Sequence, residues 1–159
     1  VTPAVVYRPG WRELYQTDPE FAVIPRMRPS GCYFLTWVGA LSCHFNLAYT
    51  HASVIKFFRH EIGDGDVDVS NEMFVGDPQD LMDDLVGSDK VLFCGVRPAS
   101  YVCADNEIEA CCWNLKPHTY NHFVQGNGKG IVIFDPWSVD GSDSVRDGLL
   151  ISKRIARIL

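Results

Sequence analysis

Residues 32–47 form a run that has to be buried. Cys32 is followed by Tyr33-Phe34-Leu35-Thr36-Trp37-Val38-Gly39-Ala40-Leu41, largely apolar and long enough for a helix. Pro29-Ser30-Gly31 just before it is a turn cluster that ends any earlier element, so the helix begins at Cys32. A chain with such a segment must arrange its other elements around a buried central helix. The first backbone N–H groups of a helix and its dipole both favour negative charge, so a thiol at that position is placed to react as a thiolate.

Far downstream, His122 opens a strand-turn-strand unit, Asn121-His122-Phe123-Val124-Gln125-Gly126-Asn127-Gly128-Lys129-Gly130-Ile131-Val132-Ile133-Phe134-Asp135-Pro136-Trp137. If Asn127 to Gly130 form the hairpin loop, Gly126 pairs with Ile131 and the register carries His122 directly opposite Asp135. Cross-strand partners start roughly 4.5–5.5 Å apart at Cβ, near enough for the carboxylate to take the imidazole Nδ1–H. A longer loop or a bulge displaces the pair by one position. A thiol at a helix start, an imidazole on a strand and a carboxylate ending the next strand are the parts of a cysteine hydrolase.

The order Cys32, His122, Asp135 resembles that of papain-like cysteine peptidases. His122-Phe123-Val124, the glycine turn and Ile133-Phe134-Asp135-Pro136 are most similar to the bacteriocin-processing, C39-like branch. A closer resemblance is to a small family of spirochaete phage and plasmid proteins that carries no established activity. It rests on Gly31-Cys32-Tyr33-Phe34-Leu35, the His122 strand, Asp135-Pro136-Trp137, and Ser144-Val145 followed by Ser152-Lys153-Arg154. The resemblance implies a papain-like α+β fold, a central N-terminal helix carrying the cysteine, and an antiparallel sheet carrying the histidine and aspartate. The C39-like branch places a glutamine upstream of its cysteine as an oxyanion-hole donor, and the corresponding residue here is Arg26. Arg26 and Ser30 are the candidate side-chain donors to an oxyanion, beside the Cys32 backbone N–H.

A chain of 159 residues, 47% of them apolar, is sized for one domain with a proper core, read here as residues 1–159. A formal charge of −6, with 14 Lys and Arg against 20 acids, argues against a nucleic-acid partner. No apolar stretch reaches the roughly 18 residues of a membrane span, and no signal peptide is evident, so the chain reads as soluble. The six cysteines, Cys32, Cys43, Cys94, Cys103, Cys111 and Cys112, are too sparse for a disulfide scaffold and read mostly as buried thiols. Only Cys32 sits at a helix start after a turn.

Along the chain, short strands are expected around 4–7 and 22–24, then helices over 32–47 and 52–62, the latter ending at Gly63. An acidic loop follows at 64–68, with a strand or turn near 73–75. Asp77 as N-cap and Pro78 at the first turn predict a short helix to about Val86, closed by Gly87. Strands are expected at 90–96 and 100–103, a short helix or irregular segment at 107–115, and the hairpin at 121–125 and 131–135. Residues 149–159 have the helical spacing Leu150, Ile151, Ile155, Ile158, with a strand as the alternative. Helices first and strands later indicate an α+β architecture.

Other constellations are weaker. Cys111, Cys112, His118 and His122 offer four zinc ligands, but adjacent cysteines point apart on a strand and Pro117 interrupts any helix bringing the histidines together. Asp64-x-Asp66-x-Asp68 begins like a calcium loop, yet Val69 and Val75 occupy the positions that need glycine and glutamate. His44, His51 and His60 read as surface or rim residues, and Trp137 as a screen for the His–Asp bond.

These observations lead to the expectation of a thiol-dependent hydrolase acting on amide bonds in a peptide or cell-wall peptide, without metal or organic cofactor. Cys32 is its nucleophile, His122 its general base and then acid, and Asp135 the residue that holds the imidazole tautomer. The phage resemblance implies association with a phage or delivery to the bacterial cell wall. The alternative is a non-catalytic binding or phage structural module on the same fold, which Arg26 favours.

Overall fold

The computed structural model describes residues 14–24, 26–47, 49–55, 78–115, 121–137, 145 and 148–159. The expected strand at 4–7, the acidic loop at 64–68, the element near 73–75 and His118 lie outside them, as does the C-terminal part of the helix expected over 52–62. Within them the architecture is α+β. After a 3-10 helix (Pro19–Val23) come α1 (Met27–Ser30), α2 (Cys32–Phe45), a helical turn at 51–55 and α3 (Gln79–Val86). Five strands follow: β1 (Val91–Pro98), β2 (Glu107–Asn114), β3 (Asn121–Gly126), β4 (Val132–Phe134) and β5 (Leu149–Ile158). They make one antiparallel sheet in the order β1-β5-β2-β3-β4.

Helix α2 behaves as its composition requires. Each residue from Cys32 to Cys43 is buried, and the core gathers around them from Phe21, Ile24 and Met27 on one side to Ile108, Ala110, Cys112, Phe123 and Ala156 of the sheet on the other. Thr36 is the polar exception that finds a sheet partner, donating its hydroxyl to the Phe123 carbonyl at 3.3 Å. The helix stops two residues before the expected Leu47, at Asn46, whose left-handed φ of 56° suits asparagine at a C-cap. Gly31 is needed at the other end because a Cβ there would run into the Met27 carbonyl and sulfur.

The sheet corrects several expectations. Residues 22–24 belong to a 3-10 turn and its cap, led by Pro19 and Glu20, and not to a strand. Residues 100–103 lie in the irregular connection between β1 and β2, and β1 continues through Arg97 and Pro98. In the segment 107–115, residues Glu107–Asn114 are strand β2, with both faces covered: Ile108, Ala110 and Cys112 pack towards α2, whereas Cys111 joins Val124 and Val145 in a separate cluster. Of residues 149–159, Leu149–Ile158 form strand β5, lodged between β1 and β2. Its leucines and isoleucines mimic a helical stripe because Lys153, a polar residue in the sequence, is 1% exposed.

That burial is made possible by Glu109. Lys153 Nζ lies 2.9 Å from Glu109 Oε1 and donates to the Tyr101 carbonyl at 2.6 Å. Glu109 Oε2 accepts the Gly130 N–H at 2.8 Å and the Cys111 thiol at 3.3 Å. The β3–β4 hairpin loop is thus pinned to the centre of the sheet. Gly126, opposite Glu109, has to lack a side chain because a Cβ would occupy the place of the carboxylate. Removing one partner of a buried ion pair strands the other charge, so Lys153→Met is expected to lower the unfolding free energy by about 3–5 kcal/mol. Urea denaturation measures this, and a loss near zero would show that Glu109 is satisfied without the lysine.

Candidate active site

His122, the second residue of β3, and Asp135, the first residue after β4, are each 6% exposed. The His122 Nε2–H donates to Asp135 Oδ1 at 2.7 Å, and the Trp137 backbone N–H donates to the same oxygen at 2.9 Å. A carboxylate this far from water needs such donors. Asn121, the neighbouring amide, is engaged elsewhere, accepting from Asn114 Nδ2 at 3.2 Å.

The pairing is reached by a different route from the one the loop suggests. A bulge between Gln125 and Gly126 puts Gly126 opposite Val132 and Gln125 opposite Phe134, and the Asn127 N–H closes the loop onto the Ile131 carbonyl at 2.9 Å. Gly126 therefore does not face Ile131, and Asp135 lies beyond the end of the ladder, not directly opposite His122. The side chains close the remaining gap, as diagonal neighbours on a sheet can. The expected nitrogen is corrected too, because Asp135 takes Nε2 and not Nδ1.

Cys32, 8% exposed at the first residue of α2, is close enough to His122 for its thiol to act on the imidazole. The structure thus brings thiol, imidazole and carboxylate into one buried chain of contacts. Burial opposes charge on His122, but the hydrogen bonds to Asp135 and Cys32 outweigh it and raise its pKa from 6.5 to about 9.

The other cysteines have different surroundings. All six are free thiols. Burial and the Glu109 carboxylate push Cys103 up to about 12 and Cys111 further, and burial also raises Cys112. Cys111 and Cys112 belong to different clusters, as adjacent strand residues should. His51 bridges Asp18 at 2.7 Å and Glu20 at 3.1 Å.

Gln16 is a site residue that sequence reasoning missed. Its Nε2 donates to the Arg28 carbonyl at 2.9 Å and to that of Met27 at 3.3 Å. In a continuous helix the Arg28 carbonyl would face the Cys32 N–H; here it takes the Gln16 amide. The Gln16 backbone N–H reaches the Pro136 carbonyl at 2.7 Å, and the Arg28 guanidinium lies 5.6 Å from the Trp137 ring centre. Gln16 and Arg28 thereby join the approach to Cys32 with the segment that follows Asp135. Arg26 flanks α1 at its start and Ser30 ends it, both half-buried just ahead of Cys32. Gln16 left no local signal because its partners are backbone carbonyls distant in sequence.

The model of the family described as "Protein of unknown function, DUF261" matches residues 14–158, so the chain belongs to that family. No curated protein and no solved structure matches it.

Because His122 holds its proton more tightly folded than unfolded, its contribution to stability is complete below pH 6.5 and is lost as the pH rises through about 9. The imidazole is expected to titrate near 9 by NMR, and Asp135→Asn to lower that value. A His122 titration at 6.5 that the substitution leaves in place would contradict the buried hydrogen-bonded chain.

Proposed function

We propose that this DUF261 chain is a thiol-dependent hydrolase of papain-like type that cleaves amide bonds in a peptide or cell-wall peptide. The observation that carries the reading is the 2.7 Å bond from His122 Nε2 to Asp135 Oδ1, with the Cys32 thiol on the same imidazole. The Cys32 thiol first gives its proton to His122, the resulting sulfur anion attacks the amide carbonyl, and the imidazolium returns the proton to the departing amine, leaving a thioester. Water then attacks with His122 as base, releasing the acid and restoring the thiol. Asp135 keeps the imidazole oriented and stabilises its cationic form.

The Cys32 N–H supplies one oxyanion donor, and Arg26 or Ser30 the second. No metal or organic cofactor takes part. The family resemblance suggests a phage setting, with bacterial cell-wall peptide or a phage structural protein as substrate. Among the described residues no helix is long and apolar enough to cross a membrane. The rival reading, a non-catalytic binding module, draws on Arg26 standing where the C39-like branch has glutamine.

A peptide vinyl sulfone separates the two. It is expected to label Cys32 ahead of the other cysteines, and Cys32→Ala to abolish both labelling and hydrolysis of cell-wall stem peptides. Asp135→Asn is expected to reduce turnover by roughly 10²- to 10⁴-fold without abolishing it. Uniform slow labelling of all six cysteines would favour the binding module.

A further inference from the structure

Arg154 lies on the same face of the sheet as Cys32, in a row of side chains that the hydrolase reading leaves without a role. Cys112 of β2 pairs laterally with Ser152 of β5 and with Phe123 of β3, so these three cross the sheet side by side, and Phe123 directly follows His122. Arg154 is the next residue of β5 on that face. Its guanidinium carbon stands 5.0 Å from the Phe123 ring centre, and its Nη1 donates to Ser152 Oγ at 2.6 Å. Its charge also acts on the Cys112 thiol, which packs in one cluster with Cys32.

A half-buried guanidinium held by stacking and a hydroxyl is pre-organised, and it normally stands opposite a carboxylate or phosphate. Among the described residues no carboxylate pairs with Arg154: the ion pairs of β5 are Lys153 with Glu109 and Arg157 with Glu107. Glu109 faces the other side of the sheet. The charge and the remaining N–H donors of Arg154 are therefore available over Phe123 and Cys112, the residue that links it to the Cys32 cluster. We propose that Arg154 is the carboxylate-recognising residue of the Cys32 site, so that the amides cleaved here carry a carboxylate close to the scissile bond. This rests on Cys32 being the nucleophile. An acidic side chain and a free α-carboxylate both satisfy it.

The test is alkylation of Cys32 by matched reagents. Iodoacetyl-glycine is compared with iodoacetyl-glycinamide, and the iodoacetyl derivative of glutamic acid α-amide with that of glutamine α-amide. In the wild-type protein the acidic member of at least one pair is expected to react faster, relative to its uncharged partner, than it does with free cysteine. The pair showing the larger preference identifies a terminal or a side-chain carboxylate as the preferred source. Arg154→Gln is expected to lower the acid-to-amide rate ratio about fivefold, the uncharged reagent correcting for any change in the reactivity of the thiol itself. Should that variant not fold, Ser152→Ala frees the guanidinium from its anchoring hydroxyl and is expected to lower the ratio about twofold. A ratio that stays at the wild-type value in the folded variant overturns the proposal, as does a wild-type ratio no higher than that of free cysteine. Failure of the hydrolase reading looks different, since Cys32 would then react no faster than Cys43 with any of the four reagents.

Discussion

A helix buried from Cys32 to Cys43 has to be covered by its neighbours, and here the sheet, α3 and the N-terminal segment all pack against it. In α2 each residue from Cys32 to Cys43 is covered. Burying a large apolar side chain is worth roughly 1.5–3 kcal/mol, so the position of this helix is set by Tyr33, Phe34, Leu35, Trp37 and Leu41 rather than by Cys32 itself. Thr36 bonded to the Phe123 carbonyl fixes the contact with β3. Once α2 is set against β3, its first residue meets the first residues of that strand, and the thiol reaches His122.

The polar parts of the site hang on this apolar frame. Glu109 and Lys153 occupy the other side of the sheet and hold the β3–β4 loop through the Gly130 N–H. Beyond the hairpin, Gln16 and Arg28 connect the segment of Asp135, Pro136 and Trp137 to the turn ahead of Cys32. The imidazole is held from two directions, by a carboxylate at the hairpin end and by a thiol at the helix start. Neither partner depends on a long flexible loop among the described residues. This is the kind of support that keeps hydrogen-bonding groups aligned for proton transfer.

Much of this frame was legible in the sequence, for reasons that differ from residue to residue. Cys32 stood out because Pro29-Ser30-Gly31 ends one element and an apolar run begins the next; His122 and Asp135 stood out because strand, glycine turn and strand bracket them. Their register was not legible, since a bulge at Gln125 and Gly126 depends on what packs beneath it, and Glu109 does so from another strand. Strand β2 was hidden by two glutamates that look solvent-facing but are buried through Tyr101, Gly130 and Lys153. Strand β5 was hidden likewise, its buried lysine breaking the alternation that marks a strand. The alternation of Ser152 and Arg154 around Lys153 was the available signal for the Arg154 face.

The central claim is that His122 governs the reactivity of Cys32. The most direct measurement is the pH dependence of the iodoacetamide rate at Cys32, followed by peptide mass spectrometry alongside Cys43 in the wild-type protein and in His122→Ala. The account predicts that Cys32 reacts much faster than Cys43 near neutral pH, and that this advantage largely disappears when the imidazole is removed. Equal rates for the two thiols, or a Cys32 profile that His122→Ala leaves in place, would contradict it.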